Sequence, residues 1–148
     1  MAIKERVNDD IKNAMRARDS KKLGVLRLIS SAFKQIEVDE RRVVEDDVEI
    51  IAILDKLLKQ RKESIAQFTT AKRDDLVAQE QYEIDIIVQY MPEPLSEADI
   101  LAIVVETISE LSASNIADIG KVMAKLKPIL QGKADLSKVS LLVKSKLS

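Results

Sequence analysis

The residues best suited to chemistry in this sequence are lysines in its last third. Lys121 and Lys125 are four positions apart, so a helix would place both side chains on one face. Several ammonium groups on one surface can contact the phosphates of a nucleic-acid backbone. The alternative is an ordinary solvated helix face. The candidate nucleic-acid-binding residues are Lys121, Lys125, Lys127, Lys133 and Lys138.

Catalytic chemistry has little to build on, because the chain contains neither His nor Cys. His is the commonest general base, and Cys is the only source of disulfides and thiolate ligands. Neighbouring residues on a helix diverge by about 100°, so adjacent carboxylates do not face a common metal ion. We therefore expect no catalytic residue, no metal site, no cofactor and no enzyme activity of the chain by itself. The adjacent carboxylates are Asp9 and Asp10, Asp46 and Asp47, and Asp74 and Asp75.

The dipeptide Gly120-Lys121 invites comparison with a phosphate-binding turn. A P-loop requires further glycines and a Lys-Ser/Thr pair after a strand, and no strand pattern precedes this segment. We interpret Gly120 instead as a first-turn helical residue whose missing side chain lets another helix approach.

The net charge of −1 argues against a uniformly basic nucleic-acid binder, but the charge is unevenly distributed. Residues 1–34 and residues 112–148 each carry a net charge of +5, and the acidic residues concentrate between them. Only two Phe and two Tyr occur, with no Trp, so few rings are available for stacking on single-stranded bases.

Apolar residues recur at helical spacing, and alternating strand patterns are absent, which predicts an all-α fold. Asp19 or Ser20 would cap the second helix, Ser96 the fifth and Asp135 the last. Gly132 stands where a glycine typically follows a helix end. The predicted helices span about 2–18, 21–38, 45–71, 73–90, 97–111, 117–130 and 136–148.

A polar run in the predicted third helix has two interpretations. Lys59-Gln60-Arg61-Lys62-Glu63 shows no apolar face over more than one turn. Either the long helix emerges there into solvent, or the run forms a second contact surface.

Pro92 and Pro94 interrupt the helical pattern and mark the best domain boundary. We predict an N-terminal four-helix subdomain at 1–91, a proline-containing linker at 92–96 and a C-terminal three-helix subdomain at 97–148. No apolar run is long enough to span a bilayer, and the charged start is unlike a secretory signal. We expect a soluble, cytoplasmic protein that is a monomer and has no membrane partner.

Six short motifs, in this order and spacing along essentially the whole chain, resemble the GatB/YqeY family. One departure is Leu136, where many relatives have Asp-Gly, and this would alter the cap of the last helix. The motifs are Leu26-Arg27-Leu28; Lys59 to Ser64; Arg73-Asp74-Asp75-Leu76 with Glu80 and Glu83-Ile84; Tyr90-Met91-Pro92; Asp118 to Met123; and Gly132 to Asp135.

The resemblance implies two all-helical subdomains and a link to tRNA. The same module forms the tail of the B subunit of the tRNA-dependent amidotransferase, which converts Glu-tRNA to Gln-tRNA or Asp-tRNA to Asn-tRNA, and it is appended to some glutaminyl-tRNA synthetases. There the tail helps to hold tRNA, while catalysis resides in domains absent here. A carbon–nitrogen ligase label with glutamine as amido donor would therefore be inherited. The expected function is a non-catalytic, tRNA-binding-like accessory module. The alternative is a protein–protein interaction module that docks on a synthetase, an amidotransferase or another partner.

Overall fold

The computed structural model describes residues 1–148 and contains seven α-helices and no β-strand, which confirms the predicted all-α class. A single 3-10 turn, Ile116–Asp118, precedes the sixth helix. The helices are α1 (Ile3–Arg16), α2 (Ser20–Glu40), α3 (Asp47–Thr70), α4 (Asp74–Val88), α5 (Glu97–Glu110), α6 (Ile119–Leu130) and α7 (Leu136–Leu147).

Side-chain caps define where four of these helices begin. Asp19 accepts the Lys22 N–H at 3.1 Å, which decides between the two predicted caps of α2. Ser96 accepts the Asp99 N–H at 3.1 Å at the start of α5. Asp46 and Asp135 do the same for α3 and α7. Each cap satisfies one of the backbone donors that a helix start leaves without a partner.

A left-handed residue follows the end of most of the helices. Gly132 has φ 77° just after α6, as predicted. Arg18, Arg41, Lys72 and Ser112 follow α1, α2, α3 and α5 with φ between 50° and 58°. After each of these four residues the next amide bonds back to a carbonyl five residues earlier, as Arg73 N–H does to Phe68 O at 2.9 Å, whereas after Gly132 the Lys133 N–H donates to Leu130 O.

The chain divides into two compact units, Met1–Met91 and Pro92–Ser148. In the first unit α1 packs along α2, and α3 packs along α4. Its aliphatic core includes side chains with no exposed surface, namely Leu26, Ile29, Val44, Ile50, Leu54 and Ile87.

The end of the first unit is tied to α1 by polar contacts around Tyr90. This ring is 2 % exposed, and its hydroxyl donates a hydrogen bond to Asp10. Arg6 lies 5.2 Å from the ring centroid and donates to Gln89 O at 3.0 Å. Burial raises the pKa of the Tyr90 hydroxyl, and the hydrogen bond to Asp10 adds to this, so the phenol stays protonated as a donor.

In the second unit α5, α6 and α7 surround a smaller aliphatic core. Leu95, which the sequence predicts in the linker, packs against this core and donates its N–H to Lys133 O at 2.9 Å. The buried core residues are Val104, Val122, Leu126, Leu130, Val139, Val143 and Leu147.

Three residues that continue the apolar spacing of their helices are nevertheless half exposed: Met15, Val48 and Val88, at 52 %, 51 % and 50 %. Each lies in the first or last turn of its helix. The apolar spacing continues to the end of each helix, whereas a side chain is buried only where a neighbouring helix covers it. No helix in the structure has the length and apolar character needed to cross a membrane.

Candidate nucleic-acid interface

The α6–α7 hairpin carries every basic side chain of the second unit. Residues 119–148 contain seven lysines and a single acid, Asp135. That acid is occupied as the cap of α7, where it accepts the Ser137 N–H at 2.9 Å. The candidate lysines are exposed except for Lys133, which is half-buried. The hairpin therefore presents cations with almost no opposing carboxylate of its own.

Two of the candidate lysines share one flank of α6 and contact the end of α5. Lys121 Nζ donates to Leu111 O at 3.4 Å, and Lys125 forms an ion pair with Glu110. Both side chains remain exposed. The flank is thus positive but partly neutralised, because Glu110 lies beside it.

The remaining three candidates lie elsewhere on the hairpin. Lys127 is displaced by about 160° around α6 from Lys125, since successive helical residues rotate by about 100°. Lys133 occupies the turn, where its N–H donates to Leu130 O at 2.9 Å. Lys138 borders a groove between α5 and α7. The structure therefore spreads the five lysines over several faces of the hairpin.

The interpretation of Gly120 as a point of close helix approach is wrong. A Cβ built on Gly120 would meet no heavy atom within 4 Å, and the residue is exposed. The segment begins α6 and holds neither a strand nor a further glycine before it. Packing therefore does not explain why a glycine stands here.

We expect Gly120→Ala to raise the free energy of unfolding by roughly 0.4–1 kcal/mol, because alanine restricts the unfolded chain and costs nothing in this open site. Far-UV circular dichroism during urea denaturation measures the change. The corresponding substitution Gly24→Ala in α2, also free of neighbours within 4 Å, is the matched comparison. A destabilised Gly120→Ala protein would contradict this account of the site.

Sequence reasoning missed an internal charge cluster between α3 and α4. The Arg61 side chain is only 11 % exposed, and its Nε lies 3.5 Å from Glu83 Oε2. Its Nη1 donates to Leu57 O at 2.9 Å, while Nε makes no hydrogen bond. Arg61 therefore faces α4 although the residues around it are polar. The one signal for this was Glu80 and Glu83, which are three positions apart on α4.

The pKa of Glu80, which belongs to this cluster, is raised above its ordinary value. Burial is the main cause, and the negative charge of Glu83 adds to it, while Arg61 acts in the opposite direction. A raised pKa means that folding favours the protonated carboxyl. The Glu80 carboxyl therefore stabilises the folded protein at pH values below its ordinary pKa of 4.5. This contribution is lost as the pH rises through the pKa that the group has in the folded state.

We accordingly expect Glu80→Gln to be more stable than the natural chain at pH 7, with the difference shrinking toward pH 4. Urea denaturation at several pH values measures this through tyrosine fluorescence, since Tyr82 and Tyr90 both belong to the first unit. Glu63→Gln, an exposed change on α3, is the control. A difference that does not vary with pH would show that the Glu80 charge is not the cause.

No group of three or more acidic side chains is positioned to hold a metal ion. The fold and its charged surface together define a class: a small all-α protein of two helical units, the second carrying a lysine-rich hairpin. The chain belongs to the Yqey-like protein family, whose model matches residues 4–147. The resemblance seen in the sequence motifs is thereby confirmed.

Curated relatives from yeasts carry the name "Altered inheritance of mitochondria protein 41, mitochondrial". The Saccharomyces cerevisiae protein is 36% identical over 132 residues, covering 89% of this chain and 62% of its own length. The Lachancea thermotolerans protein is 38% identical over 108 residues, which are 72% of this chain and 58% of that protein. The Kluyveromyces lactis protein is 34% identical over 110 residues, which are 73% and 60%. The chain thus spans about three-fifths of the length of the curated relatives it matches.

Proposed function

We propose that this protein is a non-catalytic accessory module that binds structured RNA of the tRNA type through its α6–α7 hairpin. The observation that carries the proposal is the composition of residues 119–148, with seven lysines and one capping acid. Such a surface attracts a phosphate backbone whatever the base sequence. The specific link to tRNA comes from the resemblance to the tail of the amidotransferase B subunit.

The aromatic residues favour recognition of backbone and shape over stacking on bases. Phe33 and Tyr90 are 2 % exposed and belong to the core. Tyr82 is half-buried, with Lys21 Nζ lying 4.0 Å from its ring centroid. None of these rings belongs to the lysine-rich hairpin. Structured RNA, read through phosphates and helix shape, is therefore the better ligand class.

The proposal assigns no reaction to the chain alone. A sequence without His and Cys lacks the side chains most used as bases and nucleophiles. We propose that any amidation associated with the module occurs on a separate catalytic protein. A monomer in the cytoplasm remains part of the proposal, whereas the names of the yeast relatives place those proteins in mitochondria.

Binding of purified total tRNA, titrated across salt, tests the proposal. A surface that contacts about four phosphates loses roughly a hundredfold in affinity between about 50 and 200 mM salt. We expect this dependence for tRNA, together with weaker binding of an unstructured RNA of equal length. An absence of binding at the lower salt concentration would overturn the proposal. Equal binding of both RNAs would remove its structured-RNA component.

A further inference from the structure

Helix α5 is apolar on two sides, although only one of them faces the core of the second unit. Val104 and Thr107 point inward and are 0 % and 3 % exposed. On the opposite side Leu101 and Val105 are 38 % and 50 % exposed. Together with smaller neighbours they form a stripe at helical spacing, which we call the outer face of α5: Ala98, Leu101, Ala102, Val105 and Ser109.

The outer face continues into a groove beside α7. Leu101 belongs both to the outer face and to this groove of about 350 Å³. Ile100, Val139 and Leu142 line this groove together with Lys138. A single exposed apolar residue needs no explanation, whereas a continuous apolar strip along a whole helix typically marks a contact surface.

The small residues on this face determine what shape can approach it. Ala98, Ala102 and Ser109 are small, exposed residues beside the larger Leu101 and Val105. Small residues alternating with larger ones let the ridge of a second helix enter the resulting grooves. The 14 residues of α5 match a partner helix of about four turns.

The charges around the face determine which helix fits. Helix α5 contains four acids and no base. Asp99, Glu106 and Glu110 follow one edge of the outer face, because they recur at i, i+7 and i+11. Only Glu110 is engaged in an ion pair, with Lys125. Asp99 and Glu106 are exposed and free to pair with cations.

The α5 helix of a second copy of this chain is the less suitable occupant. Two α5 helices related by an antiparallel two-fold would set Asp99 and Glu106 of one copy beside the same residues of the other. Like charges at that distance oppose association. A partner helix with cations along that edge meets no such opposition.

We propose that the outer face of α5 binds an amphipathic helix of a partner protein whose apolar stripe is bordered by Lys or Arg. The apolar side chains at i, i+3 or i+4, and i+7 pack on Leu101 and Val105 and enter the α5–α7 groove. The basic edge pairs with Asp99 and Glu106. Of the lysines proposed to contact RNA, Lys138 lines the groove and Lys125 pairs with Glu110.

Two matched peptides test the proposal with the full-length protein. Each is a fluorescein-labelled helix of about 18 residues with the same Leu/Ala stripe, one bordered by Lys and the other by Glu. Fluorescence anisotropy should show at least about tenfold tighter binding of the Lys-bordered peptide. Val105→Glu should abolish this binding. Leu141→Glu, on a 67 % exposed residue outside the face, should leave it unchanged.

Charge reversal provides the sharper discrimination. The double variant Asp99→Lys/Glu106→Lys should prefer the Glu-bordered peptide, which a purely apolar contact would not do. Equal binding of the two peptides by the natural chain would overturn the proposal, as would no binding of either one. A self-associated state in sedimentation that Val105→Glu dissociates would also overturn it in favour of a second copy.

Discussion

Replacement of Lys121, Lys125 and Lys133 by glutamate is expected to weaken tRNA binding by roughly 500-fold at about 0.1 M salt. Each lost phosphate contact removes about 0.9 from the slope of log affinity against log salt, so three lost contacts lower it by about 2.7. Anisotropy titrations at several salt concentrations measure both quantities. The introduced carboxylates also repel the backbone, which acts in the same direction.

A matched control separates a local effect from overall charge. Lys12→Glu, Lys56→Glu and Lys62→Glu alter exposed lysines of the first unit and change the net charge by the same amount. This control should bind tRNA nearly as well as the natural chain. An equal loss in both triple variants would remove the hairpin lysines from the mechanism.

Folding of the hairpin variant must be checked separately, because Lys125 pairs with Glu110. An exposed pair of this kind contributes little to stability. We therefore expect the helical circular-dichroism signal to stay intact. If the triple variant lost helicity, the variant with glutamine at the same three positions would be used for the binding measurement instead. It should show the same reduction in salt slope without a new repulsion.

Arg61→Met is expected to destabilise the first unit by about 3 kcal/mol. The substitution leaves Glu83 only 15 % exposed and without its cation, beside a Glu80 whose pKa is already raised by burial. It also removes the hydrogen bond to Leu57 O. Urea denaturation at pH 7 followed by tyrosine fluorescence measures the loss in the first unit.

Two comparisons identify the cause of that loss. Lys62→Met changes the adjacent exposed cation and should alter stability by less than about 0.5 kcal/mol. The double variant Arg61→Met/Glu83→Met removes both partners and should recover much of the stability, because no uncompensated charge is left between the helices. If the double variant were as unstable as Arg61→Met, lost packing rather than unpaired charge would be responsible.

Helices and their boundaries were predictable because their signals are local. Ser96 and Asp135 act within three residues of their own position, so the sequence alone identifies them as caps. Gly132 after α6 is a local signal of the same kind. The boundaries agree with the structure within about two residues for every helix, including α6, which a 3-10 turn precedes.

The candidate site was only partly predictable. The sequence identified the lysines as a charge concentration, and Lys121 and Lys125 do share a flank of α6. It did not show that Lys125 pairs with Glu110, which lies 15 positions earlier. Periodicity describes one helix at a time and contains no information about which helix covers which face.

The sequence by itself determined the all-α class, the helix caps, the breaker at Pro92 and the uneven charge. Only the tertiary structure decided that Arg61 turns inward against Glu83 and that Leu101 and Val105 stay exposed. A polar run can either face solvent or form an internal ion pair. An apolar stripe can either pack in a core or remain on an unoccupied surface. The choice in each case depends on long-range packing, because burial is a property of the neighbours that a side chain meets rather than of the side chain itself.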